Sequence, residues 1–163
     1  MRRKTFFVRM ALVAASCAWF ASGRDGLTAT AAVATDSGVT IYRIGQPVDD
    51  SDFVDLTAQI PALGGTVLSG KPTIKVRFDV PPPDGTTAHG VFEQLGQATI
   101  RIVFPFDEHI QVIHGLLKVT DSNGVVSYLS PGDSYFIAQG SVILWQTLTP
   151  VFQKSFFNYT HQP

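Results

Sequence analysis

Two carboxylates and one indole carry most of the chemistry this sequence offers. Glu93 and Glu108 each lie in a stretch rich in apolar and β-branched residues. A carboxylate at the mouth of an apolar fold can serve as a general acid or base, or as one ligand of a metal. It can equally pair with a cation and order the strand ends. For Glu108, with Arg101 and Lys154 as partners to choose from, both readings stand; for Glu93 the structural one is favoured. Trp145 is either a platform for a bound molecule or a core residue. Glu93, Glu108 and Trp145 are therefore the ligand-binding candidates, and Glu108 the one catalytic candidate. The histidines promise less. His109 adjoins Glu108 and in a strand would face the other side, His114 precedes a turn glycine, and His161 is three residues from the end. His89, near Glu93, is the best substitute ligand, though a strand-edge role suits both it and His109. Asp49, Asp50, Asp52 and Asp55 lack the spacing of a calcium loop and read as a solvated turn.

The start of the chain belongs to a different kind of segment. Arg2, Arg3, Lys4 and Arg9 precede an apolar run from Met10 to Ser22, the layout of a secretory signal peptide. That run is shorter than the about 20 apolar residues a membrane span needs. Small residues for cleavage occur at Ala21-Ser22-Gly23 and at Ala32-Val33-Ala34, so residues 1–23 form the leader, with cleavage as late as 34 as the alternative. Lipid attachment at Cys17 ranks below either. Loss of the leader removes four of the 12 lysines and arginines but none of the 13 acids, leaving a formal charge of −5. Such a domain has no electrostatic attraction to nucleic acid. Cys17 leaves too, so the mature chain has no thiol and must be held by its core. The expected location is the periplasm or outside the cell.

Residues 24–38 are small and polar and read as a flexible lead-in, with one domain over 39–163. Val39–Ile44 has strand composition, and Phe53–Ile60 is expected to make a helical turn or two. Thr73–Val80 alternates apolar and charged residues, the mark of a half-buried strand, and Pro81-Pro82-Pro83 ends it. Further strands are expected at His89–Gln94, Ala98–Phe104, His109–Ile113, Leu116–Thr120, Val125–Leu129, Ser134–Ile137, Val142–Thr147 and Gln153–Tyr159. Asn123-Gly124, Pro131-Gly132-Asp133 and Gln139-Gly140 punctuate them as turns. Many short strands without a long helical pattern mean an all-β sandwich or barrel. Phe104, Phe106, Phe136, Phe152, Phe156 and Phe157 read as packing residues.

Glu108 followed by Val112-Ile113-His114-Gly115, and the run Pro131-Gly132-Asp133-Ser134-Tyr135-Phe136-Ile137-Ala138-Gln139-Gly140, resemble the two motifs of the cupin family. His89–Glu93, Phe104–Glu108, Trp145 and Lys154 extend the resemblance to one branch, that of ureidoglycine aminohydrolase-like and ethanolamine-utilisation-type cupins. It covers about residues 68–159 and implies a single jelly-roll β-barrel. It also implies a metal held by two histidines flanking one residue, a glutamate, and a late histidine. Here the pair falls on Arg101 and Val103, or on Ile102 and Phe104 with a shorter loop, and the late position holds Ile143. Only Glu108 remains, and one carboxylate does not hold a divalent metal firmly.

The resulting expectation is an exported, divergent cupin without the usual ligand histidines or a cofactor, serving as a small-molecule-binding or structural domain and as a homodimer. The alternative is a cupin enzyme for a small polar metabolite, with Glu108 as acid/base or as ligand of an atypical metal site.

Overall fold

The computed structural model describes residues 40–49, 51–80 and 87–160, without the Val80 side chain. The leader, the lead-in, the Pro81–Pro83 turn and His161 lie outside the described residues. Among the described residues, eleven strands form two antiparallel sheets that face each other. The larger sheet joins β1 (Val54–Asp55), β3 (Thr73–Val80), β4 (Thr87–Leu95), β11 (Val151–Tyr159), β6 (Asp107–His114) and β9 (Ser134–Ile137), in that spatial order. The smaller joins β2 (Gly65–Gly70), β5 (Ala98–Val103), β10 (Val142–Thr147), β7 (Leu117–Thr120) and β8 (Val126–Leu129). No helix among the described residues is long and apolar enough to cross a membrane.

The pleat decides which side chains meet. In β6, Glu108, Ile110 and Val112 are buried while His109 and Gln111 are exposed, so the even-numbered residues face the lumen. Register carries the same face into β11, where Lys154 lies opposite Val112, Phe156 opposite Ile110 and Asn158 opposite Glu108. In β10, Ile143, Trp145 and Thr147 point inward from the other sheet. Trp145, Phe152, Ile110, Val112, Leu117 and Phe104 build the main core. A second cluster of Ile60, Ile74, Ala98 and Ile100 closes one side.

Ser134–Ile137, Val142–Thr147 and Thr73–Val80 form strands with the expected limits, and the other strands of the second half differ at their ends by a few residues. The N-terminal part departs more. Residues 40–43 join no strand; they lead into a strap that crosses the outer face of the larger sheet. Gly45 N–H donates to Ile113 O (2.8 Å), and Val48 exchanges two hydrogen bonds with the Gln153 side chain (2.7 and 2.9 Å). The expected helix at Phe53–Ile60 is instead the two-residue β1 and a 3-10 turn at Thr57–Gln59. At the β7–β8 hairpin only Gly124 takes positive φ (82°). Asn123 keeps an ordinary φ because the Asp121 carboxylate accepts from Asn123 N–H and Val125 N–H (2.8 and 2.9 Å) and shapes the loop.

Candidate functional site

The lumen holds a buried ion pair. Lys154 Nζ donates to Glu108 Oε2 at 2.7 Å, and both side chains are only 5% exposed. The ammonium also lies 4.7 Å from the Trp145 ring centroid and 4.9 Å from that of Phe92, a cation held between two π faces. The strands dictate this. Lys154 stands directly opposite Phe92 in the β11–β4 register, and Trp145 projects across from the facing sheet. Burial pulls the Lys154 pKa below the usual lysine range, and the Glu108 carboxylate beside it opposes that pull.

Trp145 is fixed in turn. Its Nε1–H donates to Gln94 Oε1 (3.1 Å), Gln94 Nε2 donates to Thr147 Oγ1 (2.8 Å), and that hydroxyl accepts Ala98 N–H (3.1 Å). Phe92 and Phe152 meet the indole edge-on, with centroids 6.0 and 5.4 Å away. Trp145 is thus both of the things its sequence context allows: it fills the core, and it is a platform whose occupant is Lys154.

Two further polar groups share this lumen and were not singled out by sequence. Tyr135, on β9, faces inward beside Ile110, and Asn158 faces Glu108 across the β11–β6 ladder. The Tyr135 hydroxyl and Asn158 Oδ1 are buried with no hydrogen-bond partner. Burial, and then the nearby Glu108 charge, push the Tyr135 phenol well above its ordinary range. The inward period-2 pattern of β9 and β11 was the signal that could have found both.

Glu93 is not part of this group. It is one residue out of phase with Phe92 and so lies on the outer face, beneath the strap. Gln153 Nε2 donates to Glu93 Oε2 (2.7 Å) and Lys75 Nζ is 3.8 Å from Oε1. The histidines also stay apart from Glu108. His89 faces outward with Nδ1 3.8 Å from Asp79 Oδ2, and His109 is exposed on the same outer face.

The residues present do not fit a cupin metal. Of the two registers considered for the histidine pair, the pleat selects the second: Arg101 is exposed, while Ile102 packs against the core and Phe104 is buried in it. Ile143 is 5% exposed in the same core. Glu108 is occupied by Lys154. Among the described residues no group of three His, Cys, Asp or Glu side chains converges on a common point. Val103 is half-buried and Phe136 is 60% exposed on the outer face, so neither fills the barrel as Ile143 does.

A double-sheet antiparallel barrel with a Pro-Gly-Asp turn and one glutamate directed into its lumen is the architecture that the sequence resemblance implies. The family model for EutQ-like cupin domains matches residues 82–156, and the chain belongs to the cupin superfamily with a domain of this EutQ-like type. No curated protein matches the sequence. Among solved structures, a protein of unknown function from Pseudomonas syringae shares the fold at TM-score 0.51, with 20% identity over 56% of this chain and 39% of that one. EutQ of Clostridium difficile matches at TM-score 0.47 and 20% identity, over 55% of this chain and 69% of that one. A putative ethanolamine utilization protein of Salmonella typhimurium matches at TM-score 0.46 and 24% identity, over 55% and 72%.

Proposed function

We propose that this is an exported, metal-free cupin domain that binds a small polar molecule at the Glu108 end of its barrel. The observation that carries the reading is the Glu108–Lys154 pair. A lysine ammonium provides the positive charge opposite the one ligand residue that survives, while Ile102, Phe104 and Ile143 offer no donor atoms. A buried ion pair is a poor stabiliser compared with well-packed apolar residues, so its presence is better accounted for by binding than by folding. The Tyr135 hydroxyl and Asn158 Oδ1 supply hydrogen-bonding capacity beside it, which a small polar ligand would satisfy. Export rests on the basic start and apolar run of residues 1–23.

A thermal-shift screen of small carboxylates, amines and ureides against the purified protein tests the binding. At least one class should raise Tm, and Tyr135→Phe should remove that rise. No shift from any class would leave the barrel a structural domain. Depressed proton affinity at Lys154 favours a second reading, in which Glu108 and Lys154 exchange a proton during catalysis on a small polar metabolite. Turnover of a screened compound that is lost in Glu108→Gln would establish it over simple binding.

A further inference from the structure

The Glu108–Lys154 pair has neighbours that the packing of the barrel does not use. The Tyr135 hydroxyl and Asn158 Oδ1 are buried without a hydrogen-bond partner. Both belong to strands that flank Glu108: Asn158 is its cross-strand neighbour on β11, and Tyr135 stands two residues from Ile137, its neighbour on β9. An amine, a carboxylate hydrogen-bonded to it and a phenol with no acceptor of its own therefore share one end of the lumen. Forming a carbon–nitrogen double bond from a carbonyl compound needs that set: a nucleophile, a group that takes and returns a proton, and a donor for the carbonyl oxygen.

We propose that Lys154 binds a small uncharged aldehyde covalently and reversibly, as an iminium. This rests on reading the Glu108 end as a ligand site and gives that ligand a chemical class. Lys154 Nζ passes a proton to Glu108 Oε2, 2.7 Å away. The freed lone pair attacks the carbonyl carbon while the Tyr135 hydroxyl donates to the carbonyl oxygen. A second proton moves from nitrogen to that oxygen, giving a neutral carbinolamine. Glu108 then returns its proton to the carbinolamine hydroxyl, water leaves, and the nitrogen lone pair closes the double bond. The iminium keeps the positive charge of the ammonium, beside the Glu108 carboxylate and between the Trp145 and Phe92 rings, where a cation is favoured. Burial makes the ammonium a readier proton donor than an exposed lysine, as suits a lysine nucleophile. Lys154 is the one buried cation among the described residues, and Glu108 already balances it. A carbonyl compound carrying a carboxylate would bring a second buried anion with no counter-charge, at a desolvation cost. Rings on two sides of Nζ suit the single substituent of an aldehyde better than the two of a ketone.

Reductive trapping reads the bond directly. Treated with propanal and cyanoborohydride at neutral pH, the purified protein should gain one propyl group at Lys154 about tenfold faster or more than at Lys71 or Lys118. Peptide mapping locates the group, and the circular dichroism spectrum should stay unchanged during the reaction. Glu108→Gln separates this chemistry from the mere presence of a reactive amine. The Glu108 charge raises the proton affinity of Lys154, so its loss would speed labelling if free amine alone mattered. With Glu108 carrying the protons, labelling of Lys154 should instead slow about tenfold or more. Tyr135→Phe keeps the ring and the ion pair and should also slow labelling; it decides alone if Glu108→Gln does not fold. Glyoxylate in place of propanal should label Lys154 no faster than Lys71. An unmodified Lys154, labelling unchanged or faster in Glu108→Gln, or equal labelling by glyoxylate would overturn the assignment. A Tm rise with another class of compound, beside an unlabelled Lys154, would sink the iminium and leave the binding site standing.

Discussion

Lys154 is the residue on which the interior depends. Removing one member of a buried, hydrogen-bonded ion pair leaves an uncompensated charge, so Lys154→Met should destabilise the fold by about 3–5 kcal/mol. Replacing both members, Glu108→Leu with Lys154→Met, should recover most of that loss and could exceed the parent stability by about 1–4 kcal/mol. Urea denaturation of the two single variants and the double variant closes the cycle. Additive losses would mean that the two groups do not interact. Trp145→Phe should cost about 1–3 kcal/mol beyond the lost packing, because it strands Gln94 Oε1 in a dry core. Part of this was legible in the sequence at residue level: Glu108 and Trp145 stood out as candidates, and Lys154 was one of two cations, with Arg101, that could pair with Glu108; the pleat decides between them by turning Arg101 outward. What could not be read was that Lys154 sits between Trp145 and Phe92, because that contact joins strands from both sheets. Glu93 shows the same gap, since a single step in phase moved it to the other face.

At the scale of elements, turns and the strap carry the pH dependence. The Asp133 carboxylate accepts from Ser130 N–H (2.7 Å) and Ser130 Oγ (2.9 Å), and these bonds, the backbone one foremost, hold it below the usual range. A carboxylate with a depressed folded pKa stabilises above its unfolded value and loses that contribution as pH falls. Thermal melts of Asp133→Ala should therefore differ from the parent at pH 6 and converge with it at low pH. Tyr42 works in the opposite direction. Burial, then its hydrogen bond to Asp79, raise its phenol to about 12, so the unfolded chain ionises first. Stability from this group is complete below pH 10 and lost between 10 and 12, and Tyr42→Phe should flatten that part of the Tm profile. At Gly115, φ is +84° and an added Cβ would lie 2.4 Å from Val151 O; Gly115→Ala should destabilise by about 1–3 kcal/mol. The strands after residue 87 were legible because each is short, alternating and bounded by turn residues. The 40–60 region was not, because β-branched composition alone does not say whether a segment finds a sheet edge. Here Gln153 and Ile113 bind the strap from the outer face, a long-range arrangement that no local pattern encodes.

For the whole molecule, the two faces of the larger sheet do different work. The lumen face encloses a polar cluster in an aromatic cage; the outer face carries the strap and the side chains of Phe136 and Phe157, which at 60% and 49% exposure do not take the packing role expected of them. If the leader is processed as proposed, mass spectrometry of the exported protein should show a chain beginning at Arg24, or at Thr35 if the later site is used. A chain retaining Met1 in the exported fraction would contradict export by cleavage.

In the proposed metal-free reading, Lys154 takes up Glu108, the one carboxylate that the resemblance to metal-binding cupins would assign to an ion. Elemental analysis of the protein purified without chelators, beside Glu108→Gln, tests it most directly. Far less than one Zn, Mn, Fe or Ni per chain is expected in both, even after incubation with excess metal. One equivalent of any of these in the parent protein, lost in Glu108→Gln, would contradict it.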